Sequence, residues 1–422
     1  MWARAYDLLP EADVRPGIED VAFEGWVDAA SRAGVNSTPT VFVDGERIGG
    51  EGVTMRTSRA RWSVRPAESR AGRLPGVSIP SFIAGLPKAE LHVHHVGSAS
   101  PRIVSELAAR HPDAGVPSDL DDLQQFFTFR DFSHFIDVYL AVVDLIRTPE
   151  DIRLLTYEVA REMAEGQHLR YAELTCTPYT SVLRGIAIEA YTEAIEDARV
   201  AAERDFGLVL RWIYDIPGES GIPAADATLE YALAHRTDAL VGFGLGGPEI
   251  GVPRAQFQEH FERARAAGLR SVPHAGETTG PETIWESLRL LGAERIGHGC
   301  SAAQDPALLA HLAETGVVLE VCPTSNVATR AVERIEDHPL RAFVDAGVTV
   351  TINSDDPPMF ATSLNHDYEV AAGLLDLDEA GVANLARAAV AGSFAPDDVK
   401  TRIGAEIDAY AADPRRVPAD TP

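Results

Sequence analysis

The 422-residue chain is expected to be an α/β protein, a (β/α)8 TIM barrel with a helical insertion after strand 1 and a short non-barrel N-terminal extension. Three observations lead there. From about Pro80 to residue 400, short β-rich runs alternate with longer amphipathic segments, as parallel βα units do. Eight such runs occur, the number that closes a TIM barrel. Residues with metal-binding and acid–base chemistry gather at the C-terminal ends of those runs, where the loops of such a barrel build its site.

The extension comes first. Residues 1–50 hold a short amphipathic helix, "FEGWVDAASRAG", and then "VNSTPTVFVDGERIGG", in which "TVFV" reads as a strand and "DG" as the turn of a hairpin. With Thr38-Pro39 ahead of the hairpin, this piece resembles the tail of a DsbA-like thioredoxin-fold domain. No C-x-x-C occurs in the chain, and the other strands of such a sheet are missing. The fragment is therefore expected to be non-functional. Residues 51–77 are rich in Arg, Ser, Gly and Pro without an apolar period and read as a linker, which leaves 78–410 for the barrel.

The strands of the barrel are expected at "LHVHHV" 91–96, "RYAELTC" 170–176, "LVLRWIYDI" 208–216, "LVGFGLG" 240–246, "RSVPHAG" 270–276, "RIGHG" 295–299, "VVLEVCP" 317–323 and "VTVTINSD" 348–355. Helical segments lie between them, such as "IEAYTEAIEDARVAAERDFG" and "PRAQFQEHFERARAAG", the latter ending on a glycine where a C-cap is wanted. The insertion, residues 98–168, carries the apolar stretch "FFTFRDFSHFIDVYLAVVDLI". Its main reading is helix packing, with a lid over the barrel mouth as the alternative.

Composition narrows the partners. The 64 acidic against 37 basic residues give a net charge of −27, which repels nucleic acid and anionic membrane. The three cysteines, Cys176, Cys300 and Cys322, lie far apart in apolar runs and read as reduced thiols. The first residues, "MWARAYDLLPEADVRPGIED", lack the basic start and apolar run of a signal peptide, and no stretch reaches the ~18 apolar residues of a membrane span. A cytoplasmic protein is expected.

The stretch "LHVHHVGSAS" opens the chemistry. Alternate residues of a strand share a face, so His92 and His94 point together. Taken alone, an H-x-H is more often a pair of half-buried, hydrogen-bonded histidines. Here "HAGE" adds His274 and Glu277 at the fifth strand, "GHG" adds His298 at the sixth, and "NSDDP" adds Asp355 and Asp356 at the eighth. Three imidazoles and a carboxylate suit zinc with a position left for water, and His92, His94, His274 and Asp355 could supply them. A water on such a metal becomes a nucleophile near neutral pH, and Glu277 and His298 are placed to serve as acid and base.

In their order "HVH", "HAGE", "GHG" and "SDDP", these motifs resemble the adenosine deaminase family of the amidohydrolase superfamily, over about Pro80 to residue 400. The resemblance implies a zinc-dependent hydrolytic deaminase of 6-aminopurine nucleosides, with His92, His94, His274 and Asp355 as ligands of one zinc per chain. It implies that Glu277 protonates purine N1, that His298 orients the attacking hydroxide and handles its proton, and that Asp356 hydrogen-bonds N7. The stretch "GLGGPE" matches the family's fourth-strand loop and puts the backbone N–H of Gly247 against N3. It holds no lysine to bridge a second metal. The H-x-E with P-C-x-x-C signature of cytidine and nucleic-acid deaminases is also missing, so a small-molecule nucleoside is the expected partner.

One position departs from the family. Members that act on adenosine usually read H-x-H-x-Asp-Gly, the aspartate accepting from the ribose 5′-hydroxyl, and here Val96 stands in that place. With "HAGETTGPET" and "CPTSNVATR", the opening looks most like the actinobacterial branch that deaminates 6-amino-6-deoxyfutalosine in menaquinone biosynthesis, whose aryl-carboxylate arm replaces the 5′-hydroxyl. Arg184 is a candidate cation for that carboxylate, or else a solvated surface arginine. The alternatives are an adenosine deaminase of purine salvage, a related amidohydrolase cleaving a cyclic amide, and a thioredoxin-like binding module with a degenerate barrel. Intact candidate ligands and Glu277 oppose the last.

Overall fold

A computed structural model describes residues 41–43, 46–48, 78–128 and 132–413, and the chain divides into two compact units, Met1–Gly76 and Val77–Pro422. In the first, β1 (Val41–Val43) pairs antiparallel with β2 (Glu46–Ile48), Val41 opposite Ile48 and Val43 opposite Glu46, as the hairpin reading requires. The expected helix at 23–34 and the linker at 51–77 lie outside the described residues.

The second unit is the barrel. Its strands are β3 (Lys88–His94), β4 (Leu169–Cys176), β5 (Val209–Pro217), β6 (Leu240–Gly246), β7 (Arg270–Ala275), β8 (Arg295–His298), β9 (Val318–Val321) and β10 (Val350–Ile352). Each pairs in parallel with the next in sequence. β10 meets β3 through a parallel bridge between Val93 and Asp355, where His94 N donates to Asp355 O (2.9 Å) and Asp355 N to His92 O (3.1 Å). Asn353 adds a side-chain clasp, its Oδ1 accepting from the N–H groups of Leu91 and His92. The seam of the barrel therefore runs through three of the four candidate ligands.

Two strands differ most from expectation, and β9 is shorter than the expected 317–323. β3 starts at Lys88, ahead of the expected 91, because its charged residues are satisfied indoors. Lys88 Nζ donates to the carbonyls of Ile83 and Leu86 (both 2.7 Å), and Glu90 accepts from both the backbone N–H and the hydroxyl of Ser354. β10 is shorter than 348–355, since the Asn353 clasp and the left-handed backbone of Asp355 (φ 66°) end the regular strand early.

Among the described residues, four α-helices, Pro101–Arg110, Leu120–Phe126, Phe132–Val143 and Pro149–Gln167, and a short 3-10 turn, Pro112–Ala114, lie in the insertion between β3 and β4. The helix Gln258–Ala266 ends against Gly268 at φ 85°, a backbone that favours glycine and gives the expected stop. At the N-terminal end of the barrel, the turn after helix Glu379–Gly392 is locked to the strands. Phe394 N donates to Glu173 (2.6 Å), Arg295 donates to Gly392 O (3.0 Å), and the Arg295 guanidinium lies 3.7 Å from the Phe394 ring centre. Among the described residues, no helix is long and apolar enough to cross a membrane.

Candidate active site

The four candidate ligands converge. His94 Nε2 lies 3.3 Å from His274 Nε2 and 3.2 Å from Asp355 Oδ1, and His92 Nε2 lies 3.6 Å from the same oxygen. A tetrahedral zinc with bonds of about 2.0–2.1 Å has ligand–ligand edges of about 3.3 Å. The spacing is therefore that of donors sharing one cation. His92 Nε2 is buried without a hydrogen-bond partner, the condition of an atom kept for a ligand.

The outer nitrogens of His274 and His92 are tied so that the inner ones face the centre. His274 Nδ1 lies 3.0 Å from Leu245 O, which can only accept, so Nδ1 carries the proton and Nε2 the lone pair. His92 Nδ1 meets Glu320 Oε2 at 2.8 Å. Burial lowers the pKa of His92, but Asp355 and Glu320 raise it to about 10, and a divalent cation would take the place of the second proton. Asp355 is opposed by burial yet held well below the usual range by the nearby imidazoles of His92 and His94, and its other oxygen accepts from Ser325 Oγ at 2.5 Å. These residues fit a zinc site. By distance alone His298 also groups with His92 and His274, but its hydrogen bonding differs from theirs.

The candidate acid and base lie alongside. His298 Nε2 is 3.7 Å from Glu277 Oε2 and 4.0 Å from Asp355 Oδ2. His298 and Asp355 are both non-glycine residues at positive φ (64° and 66°), backbone strain of the kind found where side chains are aimed at a site. Burial, with the nearby charge of Asp355, raises the Glu277 pKa to about 8, and Thr329 Oγ1 donates to its Oε1 at 2.8 Å. Asp356 packs on Gly97, where any Cβ would collide with its carboxylate; its Oδ1 is buried without a partner. Gly247 follows β6 with φ 77°, and a Cβ there would strike the Glu219 carboxylate.

Around this centre, Val96 is half-buried against the apolar core. Tyr139, on the insertion helix Phe132–Val143, has its pKa raised by burial and then by Asp356, Asp355, Glu219 and Asp215. Arg184 is committed elsewhere, its Nη2 2.9 Å and its Nε 3.1 Å from Asp144 Oδ1.

Several supports escaped the sequence reading. Glu320 holds His92, and Arg295 Nε in turn lies 2.6 Å from Glu320 Oε1 while its Nη2 donates to Glu173. Glu249 accepts from the N–H groups of Thr278 (2.7 Å) and Thr279 (3.0 Å), pinning the loop that begins at Glu277. Arg254 joins Glu249 to the carbonyl of His274, at 3.3 and 3.0 Å. The available signal was a charged residue inside an otherwise apolar strand, as in "VVLEVCP" and "RYAELTC".

Known proteins are similar to this chain in sequence and fold. The family model described as Adenosine deaminase matches residues 87–410. A curated aminodeoxyfutalosine deaminase from Streptomyces avermitilis is 67% identical over 339 residues, which cover 80% of this chain and 94% of that one. Among solved structures, an adenine deaminase from Arthrobacter aurescens is 32% identical with a TM-score of 0.72, the match covering 78% of this chain and 99% of that one. An amidohydrolase from Burkholderia ambifaria with bound zinc is 27% identical with a TM-score of 0.71, covering 83% of this chain and 98% of its own.

Proposed function

The chain belongs to the adenosine deaminase family, and from that membership we propose that it is a zinc-dependent deaminase of 6-amino-6-deoxyfutalosine in menaquinone biosynthesis, releasing ammonia and the 6-oxo nucleoside. The substrate rests on one observation, the 67% identity with the Streptomyces enzyme. Val96 supports it, since a valine offers nothing to a 5′-hydroxyl.

His92, His94, His274 and Asp355 would hold one zinc, whose chemistry is to lower the pKa of a water toward neutrality. The remaining residues act on the purine. Glu277, kept protonated by burial, gives its proton to N1 and makes C6 the better electrophile. His298 orients the attacking oxygen toward C6. The N–H of Gly247 donates to N3. Asp356 must carry a proton to hydrogen-bond N7, and burial, helped by Asp355 and opposed by His94, raises its pKa to about 7. As the C6–O bond forms, N1 takes the Glu277 proton; the proton of the added hydroxyl then moves by way of the Glu277 carboxylate to the amino nitrogen, C6=O forms as the C6–N bond breaks, ammonia leaves, and the next attacking water returns a proton to Glu277.

The test is parallel turnover of 6-amino-6-deoxyfutalosine, adenosine and adenine by protein of known zinc content. The expected result is a kcat/KM for the first at least about tenfold above the others. Equal or better use of adenosine or adenine overturns the substrate assignment.

A further inference from the structure

Behind His298 lies a chain of buried polar groups that ends on a backbone amide. Leu340 N is 3.1 Å from His338 Nδ1, His338 Nε2 is 3.2 Å from Asn326 Oδ1, and Asn326 Nδ2 is 3.0 Å from His298 Nδ1. All three side chains are buried: Asn326 is 0%, His338 5% and His298 1% exposed. A backbone N–H can only donate, and that fixes every later link. His338 Nδ1 must accept, so in the neutral ring Nε2 carries the proton and donates to Asn326 Oδ1. The Asn326 amide is thereby oriented with its NH2 toward His298, whose Nδ1 accepts. Burial pushes the His338 pKa down to about 4, which keeps that ring neutral. The Asn326 backbone is itself fixed: its main-chain N–H donates to Cys322 O (2.9 Å) and its main-chain carbonyl accepts from Val332 N (2.8 Å).

We infer that Leu340 N–H, His338 and Asn326 form a one-way relay that holds neutral His298 in its Nε2–H form, so that His298 meets the attacking oxygen as a hydrogen-bond donor and not as a base. This rests on the proposed function only in taking His298 to face that oxygen. The neutral ring has no lone pair at Nε2, the atom 3.7 Å from Glu277. The same proton excludes Nε2 as a metal ligand, which separates His298 from His92 and His274 although the three lie close together. Asn326 and His338 are positioning residues: they act on the reaction only through His298.

The test inverts the relay with little change of shape. In Asn326→Asp the carboxylate has no N–H to give, so His298 must protonate Nδ1 and turn a lone pair toward the pocket. With the zinc-loaded full chain and 15N-labelled histidine, the wild type is expected to show His298 with a pyrrole-like Nε2 and a pyridine-like Nδ1, and Asn326→Asp the reverse. The kcat for whichever 6-aminopurine nucleoside the enzyme turns over should fall by about 10²–10⁴-fold, the loss expected when a catalytic imidazole holds its proton on the wrong nitrogen, with KM and zinc content within about threefold of wild type. A second pair covers loss of folding in that variant. His338→Phe should leave His298 a mixture of tautomers with lowered kcat, and His338→Gln, which can accept from Leu340 and donate to Asn326, should restore both. A pyridine-like Nε2 in the wild type, or Asn326→Asp with unchanged kcat, overturns the relay. The nitrogen spectrum needs no substrate, so a failed substrate assignment would leave this result standing.

Discussion

Glu320 Oε2 sits 2.8 Å from Nδ1 of His92, and the other oxygen of the same carboxylate sits 2.6 Å from Arg295. The carboxylate thus does two jobs inside the barrel: it fixes which His92 nitrogen faces the centre, and it balances a buried guanidinium. Glu320→Gln keeps the shape and removes the charge. Partners of this kind typically contribute 10–100-fold in metal affinity, so zinc should be lost to a chelator at about 10–100-fold lower chelator concentration. Glu320→Ala, which also strips Arg295 of a partner, should lower stability by about 3–5 kcal/mol in a denaturant titration.

Glu277→Gln should retain zinc and lose turnover by about 10²–10⁴-fold, because an amide cannot pass a proton to N1 as a carboxylic acid does. The wild-type pH profile gives a second reading of the same group. Burial and Asp355 raise Glu277 to about 8, so the acid form is present below that pH and kcat falls as pH rises through it. A cation bound to Asp355 draws the value downward, which puts the descending limb at or below about pH 8. Metal analysis with kcat against pH checks both; a variant keeping more than about a tenth of the activity makes Glu277 structural.

The motifs that built the site were legible because each ligand ends a strand and carries its neighbours with it. His92 and His94 share a strand, and His274 near the end of β7 is three residues from Glu277 in the loop that follows. The supports were hidden for the opposite reason. Glu320 lies 228 residues from His92, and Glu173 lies 122 residues from Arg295, so nothing local links them. The barrel's strand positions followed from apolar runs, and their ends missed where buried charge broke the run, as at Lys88 and Glu90, or where a side-chain clasp ended the ladder early, as at Asn353. His338 was missed because its meaning lies in the Leu340 N–H it accepts, a fact of tertiary position.

A chain beginning at Leu74 should fold and turn over substrate like the full chain. Every candidate site residue and all eight barrel strands lie in Val77–Pro422. The start of that unit is also secured from within: Tyr410 donates to Phe82 O at 3.1 Å, and Lys88 caps the carbonyls of Ile83 and Leu86. Thermal melting and kcat/KM of the shortened chain check this. A large drop in melting temperature would assign residues 1–77 a stabilising contact with the barrel.

Val96 is the position where substrate choice should be readable. It stands half-buried two residues beyond His94, where adenosine-specific relatives are expected to place an aspartate for the 5′-hydroxyl. Adenosine bound here would leave that hydroxyl without its partner, at roughly 1–3 kcal/mol, or about ten- to a hundredfold in kcat/KM. A nucleoside with carbon at that position loses nothing and packs against the valine. Val96→Asp should therefore raise kcat/KM for adenosine relative to 6-amino-6-deoxyfutalosine by about tenfold or more, partly by helping the first and partly by burying a charge beside the arm of the second. The carboxylate of that arm would add repulsion from the new aspartate, pushing the ratio the same way. Competition between the two nucleosides in one reaction measures the ratio directly. An unchanged ratio would mean that Val96 does not touch the 5′ substituent, and selectivity would then have to come from other residues at the mouth of the barrel.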